Sequence, residues 1–200
     1  RNEIDGLEVV SPMAWRFQMN VTREANQHQA VVWGVEPSWH DAWNWYAATG
    51  DGIADEDVAT MARVCVIGET VRRELFGQAD PIGERLYINK VALTVKGVLE
   101  SRGTSPIGSD FDSRVIIPIT TAMRRVMNVD YVGAIRIITE DVSLMSGQAD
   151  QISNLIHQRH HITEAEENDF RIITAEIIAE LAQGTSRTLS MLLIALAGLS

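Results

Sequence analysis

Cysteine is almost absent from this sequence, and basic residues are few. Cys65 is the only cysteine among the 200 residues, so no disulfide can form within the chain and a disulfide-stapled miniprotein is excluded. Lysine and arginine number 17 against 27 aspartates and glutamates, which gives a net charge of −10 at pH 7. Such a surface repels phosphate, so the composition argues against nucleic acid as a partner and against flat docking on anionic lipid.

The rest of the composition is that of an ordinary globular chain. Apolar residues make up 46% and charged residues 22%, which excludes intrinsic disorder and a collagen-like fibre. A chain of this length accommodates one large domain or two small ones. The single cysteine fits a reducing compartment and equally a secreted domain large enough to need no disulfide, so the compartment stays open at this point.

An apolar run lies close to the C-terminus. Residues 189–199, LSMLLIALAGL, contain no charge and nothing more polar than serine. A bilayer is spanned by about 20 residues. The run is therefore interpreted either as the first half of a membrane helix or as a buried C-terminal helix, and the residues alone do not decide between the two.

Hydrophobic spacing and turn residues predict a mixture of strands and helices. Strands are predicted at residues 7–19 (with a break at Ser11-Pro12), 30–35, 62–68, 84–88, 91–99, 114–119, 132–139 and 170–174. Helices are predicted at residues 69–76, 120–127 with Thr120 as its cap, 144–161 and 175–181. Residues 132–174 thus form a strand–helix–strand unit.

One group of histidines has the spacing of metal ligands. His157 and His161 are four residues apart on a predicted helix, so both imidazoles could face one metal ion. A zinc enzyme usually has a glutamate beside the first histidine, and this chain has Gln158 there. The favoured interpretation is a solvated last helical turn, where positive charge suits the helix dipole. A metal-dependent hydrolase using His157 and His161 is kept as an alternative.

Four tryptophans lie within thirteen residues: Trp33, Trp39, Trp43 and Trp45. Aromatic side chains can line a ligand pocket. They can equally pack one lobe of a domain against another. The spacing leaves both interpretations open, so a ligand-binding domain with a tryptophan-lined pocket is a second alternative function.

A series of short motifs occurs in a specific order. Leu75-Phe76-Gly77 ends a predicted helix, Asp80-Pro81-Ile82-Gly83 forms a turn, and Val95-Lys96-Gly97-Val98 follows a hairpin. In this order the chain resembles the periplasmic core domain of MacB-type ABC transporter permeases, and Val9-Val10-Ser11-Pro12 is similar to that family's opening strand. Gly50-Asp51-Gly52-Ile53 departs from the family pattern, which has Gly-Arg-x-Phe there.

The resemblance implies an α+β fold in a two-lobed extracytoplasmic domain. Residues 1–50 and 131–186 would form a porter-like strand–helix–strand lobe, residues 51–130 a smaller inserted α/β lobe, and residues 187–200 the start of a transmembrane helix. The structural residues of the family motif are Phe76, Gly77, Asp80, Pro81, Ile82, Gly83 and Gly97. No catalytic, cofactor-binding or metal-binding residue and no cofactor is implied.

The implied function is mechanical. A domain of this family is not an enzyme, because ATP is hydrolysed by a separate nucleotide-binding domain or subunit. It transmits that hydrolysis to the export or extraction of substrate on the periplasmic or extracellular side of the inner membrane. Its implied partners are a second permease copy in a homodimer, the ABC ATPase and often a periplasmic adaptor protein, with membrane attachment through flanking helices.

Overall fold

The computed structural model describes residues 3–105, 108–162 and 167–179. The chain divides into two compact units. One is Leu7–Ile138, and the other combines Arg1–Gly6 with Thr139–Ser200. Each unit is described by itself below.

Eight strands, several short helices and one longer helix occur among the described residues. The strands are β1 (Leu7–Arg23), β2 (Asn26–Val35), β3 (Ala47–Gly50), β4 (Val64–Ile67), β5 (Arg85–Ile88), β6 (Val91–Leu99), β7 (Arg114–Pro118) and β8 (Ala134–Thr139). The helices are α1 (Ser38–Trp43), α2 (Asp55–Ala59), α3 (Glu69–Phe76), α4 (Ile119–Thr121) with a π-helical continuation (Ala122–Met127), a 3-10 turn (Val142–Leu144) and α5 (Met145–His160).

Six of the strands pair into a closed ring. β1 pairs antiparallel with β2, β2 lies parallel to β7, and β7 pairs antiparallel with β4. β4 runs parallel to β6, β6 pairs antiparallel with β5, and β5 pairs with β1, so the last strand meets the first. β8 is placed next to β1 outside this ring, and β3 pairs with the end of β6. Closure gives every ring strand a neighbour on both sides.

The strands alternate their side chains between two apolar cores. Cys65 and Ile67 of β4 belong to the first core, whereas Val66 between them belongs to the second. The first core takes buried side chains from all six ring strands, including Val21, Val32, Ile67, Leu86, Val95 and Val115. Residues of α3 and of the π-helical segment complete it. The ring interior is therefore a packed core, as expected for a small barrel.

The prediction of an α+β fold is confirmed, and most predicted elements are present. Three local predictions are wrong. β1 runs through Ser11 and Pro12 without the predicted break. Thr120 is not a helix cap, since the helix begins at Ile119 after Pro118 and the Thr120 hydroxyl donates to the carbonyl of Val58 at 2.7 Å. Residues 170–174, predicted as a strand, have no regular secondary structure.

The described part of the smaller unit consists mainly of α5 and the segment before β1. Gln148 on α5 is 6% exposed, and its carboxamide donates to the carbonyl of Asp5 at 3.0 Å. Arg159 forms an ion pair of 2.6 Å with Glu3. Residues 175–179 are helical, as predicted for 175–181.

The membrane-helix prediction for residues 187–200 lies outside the described residues. Within the described ranges, no helix combines the length and apolar character needed to cross a bilayer. The sheet takes strands from both of the lobes expected from the sequence, because β1 and β8 fall in one and β4–β7 in the other. The proposed lobe boundaries stay a prediction.

Candidate functional site

The residues of the family motif form the connection from α3 to β5. Phe76 is 6% exposed in the first core, and Gly77 follows the helix with φ +61°. Asp80 accepts a hydrogen bond from the backbone of Ile82 at 3.0 Å, which tightens the turn. Gly83 has φ +80°, a conformation that favours glycine, and its N–H donates to the carbonyl of Val95 at 2.9 Å. These contacts stabilise the turn between α3 and β5.

Gly97 on β6 marks a close approach of two backbones. A Cβ atom at this position would lie 2.4 Å from the carbonyl oxygen of Asp51 and 3.1 Å from that of Thr49. Gly97 faces Gly50 across the β3–β6 pair. Only a residue without a side chain fits between these strands, so this motif glycine is explained by packing.

The four tryptophans form one aromatic cluster against the second core. Trp39 and Trp45 are 0% and 1% exposed, while Trp33 and Trp43 are half-buried. The ring centroids of Trp33 and Trp39 are 6.0 Å apart, and those of Trp33 and Trp43 are 5.3 Å apart, both edge to face. Such pairs stabilise a fold beyond the area that they bury.

Three of the indole N–H groups have no hydrogen-bond acceptor in the described part of the chain. Trp45 Nε1 donates to the carbonyl of Glu100 at 2.7 Å. The Nε1 atoms of Trp33, Trp39 and Trp43 are buried and unpaired. The cluster is therefore stabilised mainly by packing between its rings rather than by hydrogen bonds of its indole nitrogens.

Arg114 on β7 lies among these rings. Its Cζ atom is 4.7 Å from the ring centroid of Trp33, 5.5 Å from that of Trp45 and 4.9 Å from that of Phe111. Burial, followed by repulsion from Arg102, lowers the pKa of the Arg114 guanidinium from its usual range. The aromatic faces offset part of this cost by attracting the cation.

Two further arginines extend the arrangement. The Cζ atom of Arg102 is 4.4 Å from the ring centroid of Trp45, and its Nη2 donates to the carbonyl of Asn44 at 2.6 Å. The Cζ atom of Arg136 is 4.4 Å from the ring centroid of Trp43. We call Trp33, Trp39, Trp43, Trp45, Arg102, Arg114 and Arg136 the tryptophan–arginine cluster.

Sequence reasoning found the tryptophans of this cluster and missed its arginines. Arg114 is far along the chain from Trp33, and the two meet because β7 lies parallel to β2 with Ile116 opposite Trp33. The spacing of residues along the sequence does not indicate a contact of this kind. The only available signal was indirect: an arginine at the start of an otherwise apolar strand.

Asp112 fixes the loop that carries Arg102. This aspartate is 4% exposed, and its carboxylate accepts hydrogen bonds from the backbone N–H groups of Arg102 at 2.8 Å and Gly103 at 3.0 Å. The hydroxyl of Ser101 donates to the same carboxylate. Both ends of the long polar loop are therefore held together by one buried side chain.

The structure does not support a metal site at the two predicted histidines. α5 ends at His160, and His161 has φ +57°, so His161 leaves the helix face that His157 occupies. His157 Nε2 lies 2.6 Å from the amide oxygen of Asn168 instead. No group of three or more possible ligands occurs among the described residues.

Solved structures share this fold. The extracellular domain of the noncanonic ABC-type transporter YknZ from Gram-positive bacteria matches with a TM-score of 0.72 and 18% identity, over 82% of each chain. The periplasmic region of MacB from Actinobacillus actinomycetemcomitans matches with a TM-score of 0.75 and 17% identity, over 91% of this chain and 78% of that one. The fold is therefore of the class seen in extracytoplasmic domains of ABC-type transporters.

The family model of the MacB-like periplasmic core domain matches residues 1–155. The chain belongs to this family, and the resemblance seen in its motifs is confirmed. It is a domain of an ABC transporter permease and is not itself an enzyme. Neither the tryptophan-lined ligand pocket nor the metal-dependent hydrolase is favoured by this membership.

Curated relatives agree with the family. The macrolide export ATP-binding/permease protein MacB of Bdellovibrio bacteriovorus is 33% identical over 201 residues, which cover 100% of this chain and 31% of that protein. The pyoverdine export ATP-binding/permease protein PvdT of Pseudomonas syringae pv. syringae is 30% identical over 86% of this chain and 26% of that protein. The chain spans less than a third of the length of these relatives.

Proposed function

We propose that this domain transmits the free energy of ATP hydrolysis mechanically to the export or extraction of a substrate outside the inner membrane. It would do so as a body that a separate ABC ATPase domain or subunit moves from the cytoplasmic side. The partners in this proposal are a second permease copy in a homodimer and a periplasmic adaptor protein. Flanking membrane helices would hold the domain on the periplasmic side.

The observation that carries the proposal is the closed ring of six strands around one packed core. A body that is to pass on a displacement must not absorb it by deforming. Packed cores resist compression and move as units, and a closed sheet has no free edge along which it could splay. Hinge and shear motions of whole domains rest on such bodies. The names of the relatives, which are export ATP-binding/permease proteins, support the same role.

A distance measurement in the full-length transporter tests the proposal. Cys65 is 0% exposed and burial raises the pKa of its thiol, so within this domain it resists labelling and an introduced surface cysteine takes the spin label, once any reactive cysteine elsewhere in the transporter has been replaced. Gln151→Cys on the exposed side of α5 places one label in each copy of a homodimer. We expect the distance between the two labels to differ between the ATP-bound and nucleotide-free transporter.

The control is a transporter whose ATPase binds but does not hydrolyse ATP. It should stay in the ATP-bound distance distribution. Identical distributions with and without ATP at Gln151→Cys and at a second site, Tyr131→Cys, would show that the domain does not move with the ATPase cycle. That result would contradict mechanical transmission without affecting the family assignment.

A further inference from the structure

A buried histidine joins helix α1 to the segment that follows β3. His40 is 7% exposed, and its Nδ1 atom lies 2.8 Å from the carbonyl oxygen of Trp45. On the other side of the ring, the backbone N–H of Ile53 donates to Nε2 at 3.1 Å. We call these two hydrogen bonds the histidine bridge. It involves no residue of the family motif.

The two backbone partners define the protonation state of the ring. A carbonyl oxygen only accepts, so Nδ1 of His40 must carry a proton and donate it to Trp45. A backbone N–H only donates, so Nε2 must be the unprotonated acceptor for Ile53. The histidine bridge therefore requires a neutral imidazole. A second proton, on Nε2, would place two N–H donors against each other and break the hydrogen bond to Ile53.

The packing around His40 leaves its ring little room to turn away from this conflict. Tyr46 stacks on the ring with centroids 6.2 Å apart, and Trp39 contacts it edge to face at 5.3 Å. A Cβ atom at Gly52 would lie 2.7 Å from Nε2, so the backbone passes directly over the ring and only glycine fits. Residues 50–53 are also the segment that departs from the family pattern.

The segments that hold the histidine bridge carry more carboxylates than cations. Residues 36–46 and 50–57 contain the bridge, and residues 96–102 join them because the Asp51 N–H donates to the Lys96 carbonyl at 3.0 Å. Their charged groups are the carboxylates of Glu36, Asp41, Asp51, Asp55, Glu56, Asp57 and Glu100 and the cations Lys96 and Arg102. Lys96 is itself paired with Asp57 at 2.7 Å. The surplus of negative charge attracts a proton to the ring, whereas burial and the bond to Ile53 oppose it.

We propose that the histidine bridge is a pH-sensitive switch that releases the segment between β3 and α2 in acid. Histidine is the side chain that ordinarily gains its charge between pH 5 and 8. At neutral pH the neutral ring holds Ile53, and in acid a proton taken up at Nε2 detaches residues 51–54 from α1. The stability that the bridge contributes is therefore present at neutral pH and lost in acid. The proposal concerns this domain alone and does not rest on mechanical transmission.

The imidazole nitrogen NMR signals of His40 test the first step without any substitution. In the 200-residue chain at about pH 7.5, they should show a proton on Nδ1 and none on Nε2. At about pH 5 both nitrogens should be protonated. A ring that stays neutral at the lower pH, or that carries its proton on Nε2 at the higher pH, overturns the proposal.

Hydrogen exchange of the Ile53 amide tests the second step. Its protection, relative to an unstructured amide at the same pH, should fall about tenfold between these two pH values, as expected for the loss of one hydrogen bond. The amide of Gly83, which donates to the carbonyl of Val95 at 2.9 Å, should keep its protection. A parallel loss at both amides would be global unfolding and would contradict a local switch.

His40→Gln removes the titrating ring, so the protection of Ile53 should become independent of pH in this variant. The matched control is His28→Gln. The Ser113 hydroxyl donates to the carbonyl of Gln29 at 3.2 Å, so Nε2 of His28, 2.8 Å from that hydroxyl oxygen, is a donor and keeps its bond when the ring is protonated. The pH dependence at Ile53 should therefore persist in His28→Gln, and a thermal melt should confirm that both variants fold.

Glu36→Gln separates the histidine from its acidic surroundings. Burial, followed by repulsion from Asp55, raises the pKa of Glu36, so this carboxyl also gains a proton as the pH falls. We expect the pH dependence at Ile53 to remain in Glu36→Gln. If this variant abolishes the dependence, or if His40→Gln retains it, a carboxyl group controls the segment and the proposal is overturned.

Discussion

Single residues of this domain are constrained more by backbone proximity than by chemistry, and Gly97 is the clearest case. Gly97→Ala would place a methyl group against the carbonyl of Asp51, which belongs to fixed backbone. We expect a loss of about 1–3 kcal/mol in the free energy of unfolding, as for other overpacked sites. Urea denaturation measures it.

Gly147→Ala is the control for that substitution. Gly147 lies within α5, and a Cβ atom there would meet nothing within 4 Å. Alanine favours a helix over glycine by about 0.5–1 kcal/mol, so this variant should be slightly stabilised. If Gly97→Ala were as stable as Gly147→Ala, the close approach of β3 to β6 would be refuted.

Glu69 at the start of α3 predicts a pH dependence. Its carboxylate accepts two hydrogen bonds from Arg72, at 2.8 and 2.7 Å, and these contacts lower the pKa of Glu69. The stabilisation is therefore complete above the pKa of an unfolded glutamate and is lost as the pH falls through the lower pKa of the folded state. Glu69→Gln should cost about 0.5 kcal/mol at pH 7, since the pair is partly exposed.

The difference between Glu69→Gln and the unchanged protein should vanish in acid. Chemical denaturation at pH 7 and at pH values below the ordinary carboxyl range measures this directly. Glu74→Gln on the same helix is the comparison, because the ion pair found for Glu74 among the described residues is with its exposed neighbour Arg73, at 3.3 Å. A difference for Glu69→Gln that is unchanged in acid would contradict the assigned ion pair.

The tryptophan–arginine cluster matters at the scale of elements, because it joins β2, α1 and β7. Arg114→Lys keeps the positive charge but loses the planar group that lies over the rings of Trp33 and Phe111. We expect it to destabilise the fold by about 1–2 kcal/mol in urea denaturation. Arg136→Lys should cost less, because Arg136 is exposed beside a single ring.

Local patterns predicted the elements well where one side of an element is buried. The alternation in β5 and β6 and the stop of α3 at Gly77 are visible in the sequence because neighbours in the chain report them. β3 was not predicted, since Ala47–Gly50 has weak strand preference and depends on pairing with β6. Residues 170–174 include strand-forming residues but pair with no strand in the described part of the chain, so the prediction from propensity alone was wrong.

The site was only half predictable for the same reason. The tryptophans stand close together in the sequence and were found. Arg102, Arg114 and Arg136 come from distant segments and meet the tryptophans through sheet pairing and the loop held by Asp112. Pairings between distant strands leave no local pattern in the sequence. The closed ring could not be predicted for the same reason.

At the scale of the whole molecule, the single cysteine reports on the integrity of the ring. Cys65 lies in the first core, is 0% exposed, and burial raises the pKa of its thiol. A thiol reagent should therefore modify it only when the ring opens, at a rate that follows global unfolding. Labelling measured across a series of urea concentrations checks this.

An introduced cysteine at Gln151, on exposed α5, should be labelled immediately under the same conditions. If Cys65 were modified as fast as that control in the absence of urea, the first core would not be closed in solution. A labelling rate that falls with the destabilising Gly97→Ala would equally contradict the link between ring opening and access to the thiol.

The position of β8 decides where this domain would yield under load. β8 lies beside β1 but outside the ring, so among the described strands it has only one neighbour, whereas each ring strand has at least two. Tension applied through the start of β1 and the end of β8 would break the hydrogen bonds between these two strands one after another, beginning at the pulled end. The six ring strands would keep their pairing. The β1–β8 pair would therefore be the first part of the domain to unfold, because of its place in the sheet rather than because of any single residue.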